Sequence, residues 1–265
     1  MTTLTPSAQR PSATEPVLSL RDVGKRFGAV QALSDVSFDV YAGEVTALVG
    51  DNGAGKSTLI KCIAGIHAPD SGQIVFEGRP VHLRQPRDAM QLGIQTVYQD
   101  LALCNNLDVV ANLFLGREEA RRPGPAQPLD EVTMEQRALS VLRDLSVAIP
   151  SVRSPVASLS GGQRQSVAIA RAVMWNSRLV MLDEPTAALG VAQTRQVLDL
   201  IKRLREQGLP VIVISHNLAD VLEVADRLIV LRLGRLAGVF DARQTSQNDI
   251  VAAMTGATLG NRAVA

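Results

Sequence analysis

The chain has 265 residues, 46% of them apolar, and sets 27 Lys and Arg against 26 Asp and Glu for a formal net charge of +1. That is enough apolar material for a full core. The charge is too even, with no long basic run, for nucleic acid to be a partner. The longest apolar runs, such as 211–214 and 228–231, fall far short of the ~20 residues that a membrane-spanning helix requires.

Residues 1–16, MTTLTPSAQRPSATEP, are polar and rich in Pro, Ser and Thr without an apolar signal core. They are expected to be a disordered tail, as are residues 258–265, with one domain spanning 17–257. Apolar and polar residues alternate in Leu18-Ser19-Leu20 and in Val36-Ser37-Phe38-Asp39-Val40, the period of half-exposed strands, which predicts an antiparallel β-layer through about Gly78. The compact runs Val45–Val49, Leu179–Leu182, Val211–Ile214 and Leu228–Leu231 are instead spaced by helical stretches, as in a parallel sheet buried on both faces. The core is therefore α/β.

Directly after Val45–Val49 comes Gly50-Asp51-Asn52-Gly53-Ala54-Gly55-Lys56-Ser57, which fits GxxxxGK[ST] between a strand and a helix beginning near Lys56. Glycines let successive N–H groups turn toward phosphate oxygens, and the helix start adds its positive dipole end. Lys56 would reach the β and γ phosphates, and the Ser57 hydroxyl would ligand Mg2+. This is a P-loop NTPase arrangement. Cys62 on the following helix and Cys104 show no ligand pattern and read as free thiols in the cytosol.

From Gln99 to Ser158 the period turns helical, with Leu107, Val110, Ala111 and Phe114 on one face and Leu139, Leu142 and Leu145 on another. A helical lobe, about 100–158, is thus inserted in the core, its halves joined by a proline-rich surface loop, 121–128. Leu159-Ser160-Gly161-Gly162-Gln163 opens a further helix whose Val167, Ala170 and Met174 share a face. The strand Leu179–Leu182 then ends in Asp183-Glu184, two carboxylates at the edge where open α/β sheets bind ligands.

With Gln99, LSGGQ, MLDEP and His216 following GDNGAGKST in this order, the chain resembles the nucleotide-binding subunits of ABC transporters from about Val17 to Gly256. The resemblance implies a head-to-tail homodimer with two ATP molecules at the interface. It places Phe27 against adenine, residues Gly50 through Ser57 and Thr58 on the phosphates, and Ser57, Gln99 and Asp183 on Mg2+. Glu184 would take the proton of the attacking water, His216 would meet the γ-phosphate, and Gln99 would contact Mg2+ and the water while linking core to lobe. Ser160, Gly161, Gly162 and Gln163 would act on the ATP of the second copy. His67 and His82 receive no role.

One departure stands out: the family usually shows Ser-Ala-Leu-Asp after the catalytic glutamate, where this chain has Ala187-Ala188-Leu189-Gly190. That stretch, with QDLALCNNLDVVANLFLGRE and ISHNLADVLEVADRL, is similar to the subgroup energising monosaccharide importers of the ribose, fructose or xylose type. The partners implied are membrane-spanning permease subunits and, indirectly, a periplasmic sugar-binding protein. The location implied is peripheral, on the cytoplasmic face of the inner membrane. The alternative is a soluble ABC-type ATPase with a mechanical or regulatory role on a non-membrane partner. Against it stand the single nucleotide domain and the absence of basic arms or a long coiled coil. A GTPase switch would need an NKxD segment, which the sequence lacks.

Overall fold

A computed structural model describes residues 15–121 and 128–257. In chain order, β1 (Pro16–Phe27) and β2 (Val30–Tyr41) form a long hairpin, followed by β3 (Val45–Val49) and α1 (Lys56–Ile63). Next come β4 (Ser71–Phe76), β5 (Arg79–Val81), α2 (Pro86–Gln91) and β6 (Ile94–Val97). The lobe supplies α3 (Val109–Phe114) and α4 (Glu131–Asp144), and α5 (Gly161–Val173) returns the chain to the core. There β7 (Leu179–Asp183), α6 (Val191–Glu206), β8 (Val211–Ile214), α7 (Leu218–Val224), β9 (Arg227–Arg232), β10 (Arg235–Asp241) and α8 (Gln247–Thr255) complete it.

The antiparallel layer has the order β2-β1-β4-β5, and the larger sheet runs β10-β9-β3-β8-β7-β6. Its four pairings from β9 to β6 are all parallel, and β10 alone is antiparallel, on β9. Side chains of its strands alternate between two cores. Leu48, Met181, Ile212, Ile214, Ile229 and Leu231 meet α1 and the β-layer. Val49, Leu182, Val213 and Val230 meet α5, α6 and the lobe. Burial of both faces explains why these strands read as unbroken apolar runs.

Three expectations change. Leu18-Ser19-Leu20 is not half-exposed: β1 lies between β2 and β4, all three residues are buried, and the Ser19 hydroxyl donates to Asp39 at 2.5 Å. Leu139 faces solvent at 43% exposure, because α4 buries Met134, Ala138 and Leu142, a narrower stripe than three leucines suggested. Pro16 is already in β1, paired with Tyr41, so the core begins one residue before 17. The remaining tail residues 1–14 and 258–265 lie outside the described residues, as do 122–127 of the proline-rich connection. Its two ends meet, with the Arg121 N–H donating to the Pro128 carbonyl at 3.0 Å.

Candidate active site

Because β3, β8, β7 and β6 are neighbours and parallel, the segments leaving their C-terminal ends share one edge of the sheet. In spatial order these are the phosphate loop after β3, Ser215-His216 after β8, Asp183-Glu184 after β7, and Tyr98-Gln99 after β6. Strands ~4.8 Å apart bring residues distant in sequence within reach of one ligand. The register sets their level, with Asp183 opposite Ile214 and Val97 opposite Leu182, so that Gln99 falls beside Glu184 and His216 just beyond both.

The phosphate loop depends on glycine where it turns. Gly50, Gly53 and Gly55 have φ of 153°, 80° and 104°, and a Cβ on Gly55 would lie 2.8 Å from Leu33 and 2.9 Å from the Ala32 carbonyl. The Gly234 N–H donates to the Ala54 carbonyl at 3.0 Å, anchoring the loop to the β9–β10 turn. Lys56 curls over the loop and donates to the carbonyls of Gly50 at 2.6 Å and Asp51 at 3.0 Å. Burial pushes its ammonium below the ordinary lysine range, against the opposing pull of Glu184, Asp51 and Asp183. A bound polyphosphate would add to that pull, so the site suits an anion.

Desolvation pushes Asp183 above the usual carboxylate range, and the charge of Glu184 adds to this, with Lys56 and Lys61 opposing. Ser57, Gln99 and Asp183 offer only hard oxygen donors, the set that fits Mg2+ together with substrate phosphates. The Nδ1 of His216 lies 2.9 Å from Glu184 Oε2. Glu184 is 17% exposed and His216 74%, which leaves the imidazole facing outward over the acid. Asn217 fixes the histidine's turn by capping α7 through Ala219 and Asp220 N–H groups. The Thr186 hydroxyl donates to Asp220 at 2.7 Å, locking the loop after Glu184 to the same helix.

Phe27, at the end of β1, is 44% exposed. Its ring meets the edge of His67 at 5.1 Å and lies 5.5 Å from the Lys25 ammonium. Ser160 caps α5, accepting from the Gln163 N–H at 3.3 Å while the Gln163 side chain accepts from the Ser160 N–H at 3.0 Å. Gly162 permits α5 to abut α6, since a Cβ there would sit 3.0 Å from that of Gln193. Among the described residues no hydrogen bond joins Ser160, Gly161, Gly162 or Gln163 to residues 50–58.

The ABC transporter family model matches residues 33–187, more than half of the chain. This chain belongs to the ABC transporter family. It is 49% identical over 250 residues to the fructose import ATP-binding protein FrcA of Rhizobium meliloti, covering 92% of this chain and 96% of that protein. It is 46% identical to the xylose/arabinose import ATP-binding protein XylG of Sulfolobus acidocaldarius, with the same coverage. Against the ribose import ATP-binding protein RbsA of Yersinia pestis it is 41% identical, over 48% of that protein's length. Among solved structures, an ABC transporter cassette in its ADP conformation superposes with a TM-score of 0.77 at 28% identity, covering 92% of this chain and 96% of that one. A dimeric bacterial ABC transporter cassette gives 0.71 at 25% identity, covering 86% and 100%.

As an ABC transporter cassette, the chain binds ATP and couples its hydrolysis to transport. Sequence reasoning missed several residues that hold this cassette's site in place. They are His67 under Phe27, the Thr186–Asp220 bond, and two side chains on the Gln99 segment, Arg171 and Asn112. All but Asn112, which bonds Cys104 eight residues away, act through a contact across tens of residues, for which no local spacing exists.

Proposed function

We propose that this cassette energises monosaccharide import of the fructose, ribose or xylose type. It would work as a head-to-tail pair of identical copies on the cytoplasmic face of the inner membrane, beneath permease subunits served by a periplasmic sugar-binding protein. The observation that carries the site is the gathering of Lys56, His216, Asp183-Glu184 and Gln99 at the ends of four adjacent parallel strands. The importer reading rests on similarity to FrcA and XylG, both import ATP-binding proteins and both covered almost end to end.

In this reading Phe27 stacks on adenine and residues 50–58 hold the phosphates through backbone N–H groups, Lys56 and the Ser57 and Thr58 hydroxyls. Mg2+, held by Ser57, Asp183 and Gln99, supplies charge neutralisation at the phosphate oxygens. Glu184 takes the proton from the attacking water, and His216, whose Nδ1 lies 2.9 Å from Glu184 Oε2, orients it and reaches the γ-phosphate. Ser160, Gly161, Gly162 and Gln163 complete the ATP site of the second copy. The permease contact falls at the Gln99 turn, beside a cavity of about 290 Å3 between core and lobe lined by Gln95, Tyr98, Leu115 and Trp175.

Glu184→Gln should slow phosphate release at least ~100-fold while ATP binding persists. Near-normal hydrolysis would remove Glu184 from the role of base. With its permease and binding protein in proteoliposomes, the cassette should drive ATP-dependent uptake of a labelled monosaccharide. Uptake that survives Lys56→Ala would overturn the reading.

A further inference from the structure

Just beyond Gln99 the backbone is held in an unusual shape. Leu101 and Ala102, both carrying a Cβ, sit consecutively in the left-handed region with φ of 58° and 46°. Such residues visit that region singly and persist there only when surroundings hold them. Within the turn itself, the Leu101 N–H donates to the Tyr98 carbonyl at 2.9 Å and the Ala102 N–H to the Asp100 carbonyl at 2.7 Å. Those bonds use the donors and leave the two outward carbonyls of Leu101 and Ala102 to be met from elsewhere.

Arg171 meets both. From the last turn of α5 its Nη1 donates to the Ala102 carbonyl at 2.7 Å and its Nη2 to the Leu101 carbonyl at 2.9 Å. A planar guanidinium spans two acceptors in a way a lysine ammonium cannot. Arg171 is half-buried, burial disfavours its charge, and among the described residues it makes no ion pair, so its charge is committed to these two carbonyls. Downstream, the fully buried Asn112 accepts from the Cys104 N–H at 2.7 Å and donates to the carbonyls of Cys104 and Asp108 at 3.0 and 2.9 Å. The segment is thus pinned from α3 at 104–108; at 99–102 the turn's own backbone bonds and the packing of Leu101 on the core are joined by Arg171, the one side chain that, among the described residues, hydrogen-bonds to it.

We infer that Arg171 is a positioning residue for hydrolysis: it clamps the strained turn that presents Gln99 and ties that turn to the helix whose other end carries Ser160–Gln163. The inference rests on the proposed role of Gln99. Placement of Gln99 and placement of the signature loop then follow one rigid helix, so a push at the lobe reaches both sites of the dimer together.

The test is steady-state ATPase activity of the purified full chain. Arg171→Ala should lower kcat about tenfold while KM for ATP stays within ~2-fold, the split expected when a residue acts in the chemical step and not in binding. Arg171→Lys, which keeps charge without the fork, should fall with it. Gln99→Ala combined with Arg171→Ala should be no slower than Gln99→Ala alone, to within ~2-fold, because both act through one group. Ala102→Gly alone should leave the rate within ~2-fold, and in the Arg171→Ala chain should restore it several-fold, since glycine needs no clamp at positive φ. A wild-type kcat in both Arg171 variants would overturn the clamp, as would multiplicative losses in the double variant, or a failed rescue in a chain with unchanged Tm. If Gln99→Ala hydrolyses at the wild-type rate, the assignment of Gln99 itself falls, and the inference with it.

Discussion

Glu184 sits at φ 50° immediately before Pro185, a conformation that a residue with a Cβ adopts only under constraint. The constraint is visible: its N–H donates to the Ile214 carbonyl at 2.9 Å, and Thr186 two residues on is bonded to Asp220. A carboxylate so held still needs its last torsion fixed, and His216 is the side chain placed to do it. His216→Ala should therefore lower kcat by roughly 10–100-fold with the Kd for ATP within ~3-fold, measured by phosphate release and by equilibrium binding. Equal losses in both would make His216 a binding residue only. Cys62 offers a pH-dependent case. Burial pushes its thiol up to about 11, so the neutral form is the one the fold favours. That contribution is complete below the ordinary thiol pKa and is lost as pH rises toward 11. Iodoacetamide at pH 8 should label Cys104 and leave Cys62 at least ~100-fold slower until denaturant is added, as read by mass spectrometry. Comparable labelling of both would contradict the burial of α1. At this scale Lys56, Asp183, Glu184 and His216 were legible because each follows an apolar run in a recognisable string. Arg171 was not, since its partners are backbone carbonyls 69 and 70 residues away.

The elements that the sequence displayed best are those with two buried faces, β3, β7, β8 and β9, and the phosphate-loop helix behind β3. The edge strand β10 escaped it because alternate residues are exposed and Gly238 interrupts the pattern, and α4 was misread at Leu139 because i+3 neighbours there diverge from the buried stripe. The start of α5 is the element on which most depends. Its capping box satisfies N–H groups at a helix end that, in the proposed pair, faces a second copy. Ser160→Ala should lower stability by about 1 kcal/mol, a drop of about 2–3 °C in Tm for a chain of this size. No change in Tm would show that the cap contributes nothing. Gly190, at the N-cap of α6, is the counterpart. A Cβ there meets no atom within 4 Å, and its N–H donates to the Gln193 side chain at 3.4 Å. Gly190→Asp should thus leave the monomer within ~0.5 kcal/mol of its stability, because aspartate caps a helix slightly better than glycine. Any larger change in ATPase rate then belongs to the interface, and a Tm fall of several degrees would show that the open space is not real.

At the scale of the whole molecule, the chain has the phosphate loop at one sheet edge and the signature loop on α5, and among the described residues no hydrogen bond joins them. In the proposed head-to-tail pair a second copy supplies each loop with the other's counterpart. This arrangement makes a prediction that no single-chain site can imitate. A chain with Lys56→Ala and a chain with Gly162→Ala, which would press on Gln193, should each hydrolyse ATP slowly alone. In a mixed dimer both defects fall in one site, and the other site is built wholly from intact parts. At equal mixing, half of the dimers are mixed and each retains one of its two sites, so about a quarter of the wild-type rate should return if the sites fire independently. With glycine at 190 in place of the usual interfacial carboxylate, independence is the expected result. A rate that stays at the level of the separate variants, in mixtures shown by crosslinking to contain mixed dimers, would mean either that the signature loop serves its own chain or that both sites must be whole. Mixing the wild-type chain equally with a chain that carries both Lys56→Ala and Gly162→Ala separates these: a loop acting within one chain leaves about half of the wild-type rate, whereas sites that must both be whole leave only the quarter contributed by wild-type dimers.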